Sequence, residues 1–220
     1  MVTRRGLLAA TAGAGILAAL PGSGAHASAT GERKWTGSRS ANGWSIDPSA
    51  VARFRVEGSA ATVALRQGTA ATVLLHVARR WHYEIAAVDG GNAGGILGHT
   101  TSRTVRASFE SNHLSGTAIA VHPAAYPANG TERLATHQEA IVRDILLDCA
   151  GIVAWGGDLT PAKAGHFHIV VRPGDAALAR VAALVRRDTH APRKSQTAGA
   201  VTDPATPARR TRALHLPRPR

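Results

Sequence analysis

Apolar and polar positions alternate in two short stretches and repeat at helical spacing in a longer one. Residues 54–57 and 62–65 alternate on either side of Gly58-Ser59, which predicts a short hairpin at an edge of the domain. Val73, Val77 and Trp81 recur every four residues, so a helix is predicted over residues 69–84, capped by Thr69.

The second half of the domain has the same kinds of pattern. A helix is predicted over residues 136–150, starting at a capping box of Thr136 and Glu139 and stopping at Gly151. Residues 152–155 form an apolar run and predict a strand. Residues 166–172, which carry two histidines at alternate positions, predict another, and residues 176–187 predict a last helix. Because strands and helices alternate irregularly, the predicted fold class is α+β, a small single domain with a central antiparallel sheet flanked by helices.

The N-terminal 27 residues have the features of a secretory signal. Paired arginines, Arg4-Arg5, precede an apolar run, and Ala25-His26-Ala27 places small residues at the positions that a signal peptidase reads. The arginine pair indicates the twin-arginine route. The alternative, a retained membrane anchor, needs about 20 strongly apolar residues. We therefore expect a secreted or cell-wall-associated protein that begins near Ser28 and has no transmembrane anchor after cleavage.

The remaining chain divides into three parts. Residues 28–52 predict an extended N-terminal segment, residues 53–187 the folded domain, and residues 188–220 a disordered basic tail rich in Pro, Arg, Ala and Thr. The single cysteine, Cys149, excludes an intrachain disulfide and is expected to be a buried structural thiol. We expect the protein to be a monomer.

The formal net charge of +12 raises the question of an anionic partner. Much of this charge lies in the basic tail, where no aromatic residue is interleaved with the basic ones and no nucleic-acid-binding motif is present, which argues against nucleic acid. For an exported protein, we expect the charge to give electrostatic attraction to an anionic cell wall or membrane surface. A tail that is merely solvated is the alternative.

Histidines and arginines are the candidate chemical groups. His166 and His168 alternate on one predicted strand and so share a face, and neutral imidazole is a common zinc ligand. His113 lies in the segment 111–120, which follows Arg103 and Arg106. Guanidinium groups can bind a carboxylate bidentately, although an exposed basic strand would carry the same residues.

The segment around His113 makes the pattern more specific. Ser111-x-His113-x-x-Gly116-x-Ala118 resembles the Ser-x-His-x-x-Gly-x-Ala-x-Asp signature of the M15 family of zinc D-alanyl-D-alanine carboxypeptidases and L-alanyl-D-glutamate endopeptidases. These enzymes cut the stem peptides of bacterial peptidoglycan. Residues 155–158, Trp-Gly-Gly-Asp, followed by His166-Phe167, are similar to the closing motif of that family. The resemblance covers roughly residues 54–171 and implies a Hedgehog/DD-peptidase-like fold.

The resemblance also implies a role for each matching position. His113 and His166 correspond to two of three zinc ligands. In a protein that keeps the peptide groove, we expect Ser111, Arg103 and Arg106 to contact stem-peptide carboxylates. The third ligand would be a carboxylate seven residues after His113, where this chain has Ala120. The catalytic base would be a carboxylate three residues before His166, where it has Lys163.

Two hypotheses follow from these departures. The first is a peptidase with a remodelled zinc site at His113, His166 and either His122 or His168, with Asp158 as the base if its loop folds back. His122 lies two residues beyond Ala120 and would share its face if the strand continued. The second is a non-catalytic protein that keeps the groove and binds peptidoglycan stem peptides.

Overall fold

The chain folds into eight short strands and four α-helices, and the structure, a computed structural model, describes residues 31–90, 95–190 and 206–216. The elements are β1 (Arg33–Lys34), β2 (Val51–Arg55), β3 (Thr62–Arg66), α1 (Thr69–Glu84), β4 (Ile96–Leu97), β5 (Thr104–Val105), β6 (Ala118–Val121), α2 (Thr136–Asp148), β7 (Val153–Trp155), β8 (His166–Ile169), α3 (Ala176–His190) and α4 (Pro207–Leu214). None of these helices combines the length and the apolar character that crossing a bilayer requires.

Four strands form the central sheet in the order β4-β6-β8-β7, and each pairs antiparallel with its neighbour. Two smaller antiparallel pairs flank it, the hairpin β2-β3 and the pair β1-β5. The domain is therefore mixed α+β with antiparallel sheets, as the irregular alternation of elements predicted.

Helix α1 is the main packing partner of this sheet. Its apolar stripe of Val73, Val77 and Trp81 is fully buried. The Trp81 ring meets Phe167 of β8 edge-on, with ring centroids 5.9 Å apart, and it meets Tyr126 at 6.2 Å in the same way. An edge-to-face arrangement of this kind adds to the stabilisation from area burial, so the Trp81–Phe167 pair fixes the helix against one face of the sheet.

The predicted helices are confirmed and their caps are corrected. Helix α1 has the predicted bounds, but its N-cap is Gly68. In α2 the N-cap is Ala135, whose amide donates to Gln138 Oε1 at 3.0 Å, so Thr136 and Glu139 do not form the capping box. The chain enters α2 one residue earlier than the sequence pattern indicated, which moves the reciprocal side chain from Glu139 to Gln138.

The prediction of a disordered tail is wrong for α4. The Arg209 guanidinium pairs with Asp144 and Asp148 of α2, at 2.5 Å and 2.8 Å for the nearest oxygens, and Ala213 is buried. These ion pairs dock the short basic helix α4 on α2, which the low apolar content of the segment did not suggest. The predicted signal segment and residues 191–205 and 217–220 lie outside the described residues.

The N-terminal segment is held on the domain along the part that the structure describes. Trp35 donates its backbone amide to Arg103 O at 2.7 Å, next to the pairing of β1 with β5. Farther along, residues 40–43 turn tightly and pack against residues 111–112. The segment thus contributes a structured turn beside the candidate site.

Candidate functional site

The pairing of β6 with β8 sets one polar face of the sheet. Ala118 lies opposite His168 and Ala120 lies opposite His166. Directly opposed residues of antiparallel strands point to the same face, so each histidine faces a methyl group across the ladder. Phe167, between them, points to the other face and into the core.

His113 comes to this face from the 3-10 turn Ser108–His113, which lies just before β6. Its Nδ1 lies 2.7 Å from Gly98 O. Gly98 must be glycine here because a Cβ would lie 2.1 Å from Ala64 O. The turn after His113 needs Gly116 for a related reason, since its φ is +69° and a Cβ would lie 2.7 Å from Arg66 N.

Three imidazoles form a hydrogen-bonded chain. His113 Nε2 lies 3.2 Å from His166 Nδ1, and His166 Nε2 lies 3.1 Å from His168 Nδ1. A carbonyl oxygen only accepts, so His113 Nδ1 carries the proton that binds Gly98 O. In neutral rings His113 Nε2 then accepts from His166 Nδ1, and His166 Nε2 accepts from His168 Nδ1. The partners therefore assign one direction to the whole chain.

The histidine chain is buried and neutral. His166 is inaccessible to solvent, and His113 and His168 are 4% and 8% exposed. Burial, together with the nearby Lys163 ammonium, lowers the pKa of His113 to about 4. Burial and the charge that His113 would carry lower the pKa of His168 to about 4 as well. At neutral pH the rings therefore act as uncharged donors and acceptors.

Lys163 and Glu110 form an ion pair beside these rings. Lys163 Nζ lies 2.7 Å from Glu110 Oε1, and the other carboxylate oxygen accepts from the Arg106 amide at 2.7 Å. The side chains are 15% and 13% exposed. Burial alone would raise the pKa of Glu110, but these two hydrogen bonds lower it below its ordinary value. The carboxylate therefore stays ionised and neutralises Lys163.

Close backbone packing places Lys163 there. Lys163 donates its amide to Gly156 O at 2.9 Å, and the His166 amide donates to Lys163 O at 2.9 Å. A Cβ on Gly156 would lie 2.2 Å from Lys163 O, and one on Gly165 would lie 2.2 Å from Val121 O. The Trp-Gly-Gly sequence and Gly165 thus permit the loop 156–165 to fold tightly against β6 and β8.

The described residues provide two ligands for the zinc ion that the resemblance implies, but they do not provide a third. Two ligands about 2.0–2.1 Å from a tetrahedral zinc lie roughly 3.3 Å apart, close to the 3.2 Å between His113 Nε2 and His166 Nδ1. Within the described ranges, however, no three His, Cys, Asp or Glu side chains are grouped to hold a metal. A catalytic zinc needs three protein ligands, so the described residues do not fit one.

His168 lies behind His166 instead of beside it. Its Nδ1 bonds the far nitrogen of His166, and its ring stacks on Phe109 with centroids 6.3 Å apart and an interplanar angle of 6°. It can orient His166, but it does not converge with His113 and His166 on one point. The prediction of His168 as a third ligand is not supported by this placement.

His122 lies on the opposite side of the sheet. Strand β6 ends at Val121, and His122 has a φ of +45°, which turns the chain out of the strand. Its ring lies 6.3 Å from that of Trp81, on the same side as Phe167. The prediction placed His122 on the face of Ala120 if the strand continued, and that condition fails.

Asp158 is bound to another element. Arg143 of α2 donates to both of its carboxylate oxygens, with Nη2 2.6 Å from Oδ1. The same guanidinium lies over the Trp155 ring, 4.8 Å from its centroid. Asp158 therefore anchors the start of the loop 156–165 to α2 and is held away from a role as base.

The three predicted substrate-binding residues have structural partners. Ser111 is inaccessible, and its hydroxyl donates to Ser108 O at 2.6 Å and accepts from the Ala41 amide at 2.9 Å. Arg103 donates to the carbonyls of residues 35 and 37. Arg106 is exposed and pairs with Glu32 at 3.0 Å. The structure does not bring these three side chains together around the histidines.

The sequence did not identify two residues that contribute to the site. Glu110 precedes the signature and carries no motif of its own, so only the tertiary structure identifies it as the partner of Lys163. Gly98 holds His113 through its carbonyl oxygen, a backbone group that no side-chain pattern records. The one available signal was Lys163 itself, since a lysine among predicted zinc ligands is stabilised by an acidic partner.

In comparisons with protein-family models, curated proteins and solved structures, no match to this chain was found.

Proposed function

We propose that this protein is a secreted, non-hydrolytic relative of the zinc peptidases that cut peptidoglycan stem peptides, and that it binds those peptides at the bacterial cell wall. The proposal includes a Hedgehog/DD-peptidase-like fold. The sequence motifs at residues 111–118 and 155–167 support the ancestry. The net positive charge supports attraction to an anionic wall.

The observation that carries the non-hydrolytic part is the Lys163–Glu110 ion pair beside His113 and His166. The ammonium stands at the sequence position of the catalytic carboxylate, and it is fixed by a 2.7 Å hydrogen bond. A general base must be able to take a proton from water, and a charged ammonium cannot.

A second candidate function is hydrolysis at a remodelled zinc site. The spacing of His113 Nε2 and His166 Nδ1 favours it, as does the carbonyl behind His113, because metal-binding histidines usually donate their other N–H to such a group. The two candidate functions differ in metal content and in product release.

Binding and hydrolysis can be measured together on purified peptidoglycan. The full protein, prepared without a polyhistidine tag, is mixed with intact sacculi and with sacculi whose stem peptides have been removed enzymatically. We expect it to sediment with intact sacculi only and to release no amino acids, with or without added zinc. Equal sedimentation with both preparations would refute peptide binding, and release of stem-peptide amino acids would establish the peptidase.

A double substitution tests why the site does not act as a zinc peptidase. We expect Ala120→Asp with Lys163→Asp to hold about one equivalent of zinc and the parent less than about a tenth, because the new carboxylate at residue 120 faces His166 across the ladder. The matched control is Ala118→Asp with Lys163→Asp, which places that carboxylate opposite His168. Elemental analysis measures zinc, and circular dichroism confirms folding. Stoichiometric zinc in the parent would contradict the proposal.

A further inference from the structure

A cleft of about 730 Å³ lies at the end of β8, on the side where the turn of residues 40–43 packs. Arg39, Asn42 and Arg172 contribute its polar lining, and Val170 and Pro173 contribute apolar surface. Its volume falls within the range of roughly 300–1,000 Å³ that is usual for small-ligand sites. None of its lining residues is acidic.

Both arginines are arranged around Gly43. Arg39 Nη1 donates to Gly43 O at 3.0 Å, and the stem of Arg172 lies close to the same residue, with its Cγ 3.7 Å from the place where a Cβ on Gly43 would lie. Gly43 has a φ of +84°, a conformation that glycine adopts without strain. The turn thus brings two positive side chains to one cleft.

These two guanidinium groups have no carboxylate partner in the part of the chain that the structure describes. Asp175 is the nearest acid in sequence to Arg172, and its carboxylate caps α3 by accepting from the Ala177 amide at 2.7 Å. Other arginines of the domain, such as Arg80 and Arg143, pair with aspartate or glutamate. Two cations that line one cleft, neither of them paired with a carboxylate of the described residues, attract an anion from solution.

The turn that carries this cleft is rigidly held by the signature segment. Asn42 Nδ2 donates to Thr117 Oγ1 and to Ile169 O, both at 2.8 Å. The Asn42 amide donates to Asn112 Oδ1 at 3.1 Å, and the Ala41 amide donates to Ser111 Oγ at 2.9 Å. The buried polar groups of residues 111–117 therefore fix the position of the turn before any ligand arrives, which lowers the entropic cost of binding.

We propose that the Arg39–Arg172 cleft is a binding site for a small oxyanion, either a carboxylate or a phosphate group. The planar fork of each guanidinium matches the oxygen pair of such a group. The apolar surface of Val170 and Pro173 provides contact for the body of a ligand that carries it. The site is separate from the histidine chain, and it exists whether or not the protein binds cell-wall peptides.

The two oxyanion sources are separated by the choice of probe. Isothermal titration calorimetry at low ionic strength compares N-acetyl-alanyl-alanine, which ends in a carboxylate, with its C-terminal amide and with inorganic phosphate. We expect at least one of the two oxyanions to bind, with at least tenfold weaker binding of the amide than of the carboxylate peptide if the carboxylate is the ligand. Binding of phosphate alone assigns the site to phosphate-bearing ligands. Equal binding of the peptide and its amide, or no binding of any probe, overturns the proposal.

Substitutions then locate the binding to this cleft. Arg39→Gln with Arg172→Gln is expected to weaken binding at least tenfold, whereas Arg53→Gln with Arg212→Gln removes the same charge from exposed positions elsewhere and is expected to change it less than twofold. Arg172→Lys keeps the charge and the turn, and it should give an intermediate loss because it lacks the planar fork. Wild-type binding by the Arg39/Arg172 variant, or an equal loss in the control pair, refutes the site.

The same variants separate this proposal from the proposed function. Sacculus sedimentation that survives loss of Arg39 and Arg172 would place peptide binding elsewhere on the protein. Oxyanion binding without sacculus sedimentation would leave the cleft standing and remove the wall-binding function.

Discussion

The two faces of strands β6 and β8 are only one residue apart in sequence, yet they are stabilised in different ways. On one face Ile119 and Phe167 are fully buried, and the Phe167 ring packs against Trp81. On the other face His166 and His168 belong to a chain of directional hydrogen bonds. The stability of the apolar face depends on the volume and contacts of its side chains. The stability of the histidine face depends on which ring nitrogens carry protons. Because side chains alternate along a strand, a strand of four residues places its core-packing side chains on one face and its hydrogen-bonding histidines on the other.

The largest expected effect comes from removing the apolar contact. Phe167→Ala should lower the free energy of unfolding by roughly 5 kcal/mol, at the upper end for this kind of substitution, because Phe167 is inaccessible and its loss leaves a cavity against Trp81. Urea denaturation measures it. The adjacent His168→Ala is the matched control on the other face and should cost less than half as much. Equal costs would mean that the two faces do not differ as described.

Acid should disturb the histidine face and leave the apolar face unaffected. The folded pKa values of His113 and His168, about 4, lie below the ordinary value of 6.5, so the unfolded chain binds more protons between these limits. The stability that these rings contribute is complete above pH 6.5 and is lost as pH falls towards 4. We expect a loss of about 2 kcal/mol for each of these two histidines between pH 7 and pH 5.

Urea denaturation at pH 7, 6 and 5 measures this loss. His168→Gln removes one titrating ring and should reduce the slope against pH, whereas Phe167→Leu should lower stability equally at every pH. A stability that does not change between pH 7 and pH 5 would contradict the buried, neutral assignment of the histidine chain.

The smallest expected effect concerns the ion pair beside the histidines. Lys163→Met should lower the free energy of unfolding by about 2 kcal/mol because it leaves the Glu110 carboxylate partly buried without its cation. Adding Glu110→Gln should recover part of this loss, since the second substitution removes the unpaired charge. A double-mutant cycle measures the coupling, and additive losses would show that the two side chains do not interact in solution.

Much of the secondary structure was predictable from periodicity. The stripe of Val73, Val77 and Trp81 gave the bounds of α1 correctly, because four-residue spacing places those side chains on one helix face. The tail was not predictable in this way. Helix α4 is stabilised by Arg209 on Asp144 and Asp148, partners that lie far away in sequence, so its own composition gave no indication of a docking site.

The candidate site was predicted in part. Alternation correctly placed His166 and His168 on one face, and the structure brings His113 to them. The role of His122 depended on whether β6 continued, and a positive φ at that residue ends the strand. The role of Asp158 as a base depended on whether its loop folds back towards the histidines. Arg143 of α2 binds Asp158 and holds it elsewhere. Both outcomes depend on long-range contacts that have no local pattern.

By itself the sequence determined the α+β class, the helix α1, the shared face of His166 and His168, and the two positions, Ala120 and Lys163, that depart from the resembled family. Tertiary structure alone decided that Lys163 meets Glu110, that His168 supports His166 from behind, and that Arg39 and Arg172 share a cleft. The physical reason is range: side-chain periodicity follows from local backbone geometry, whereas charge pairing and cleft formation require residues that only the folded chain brings together.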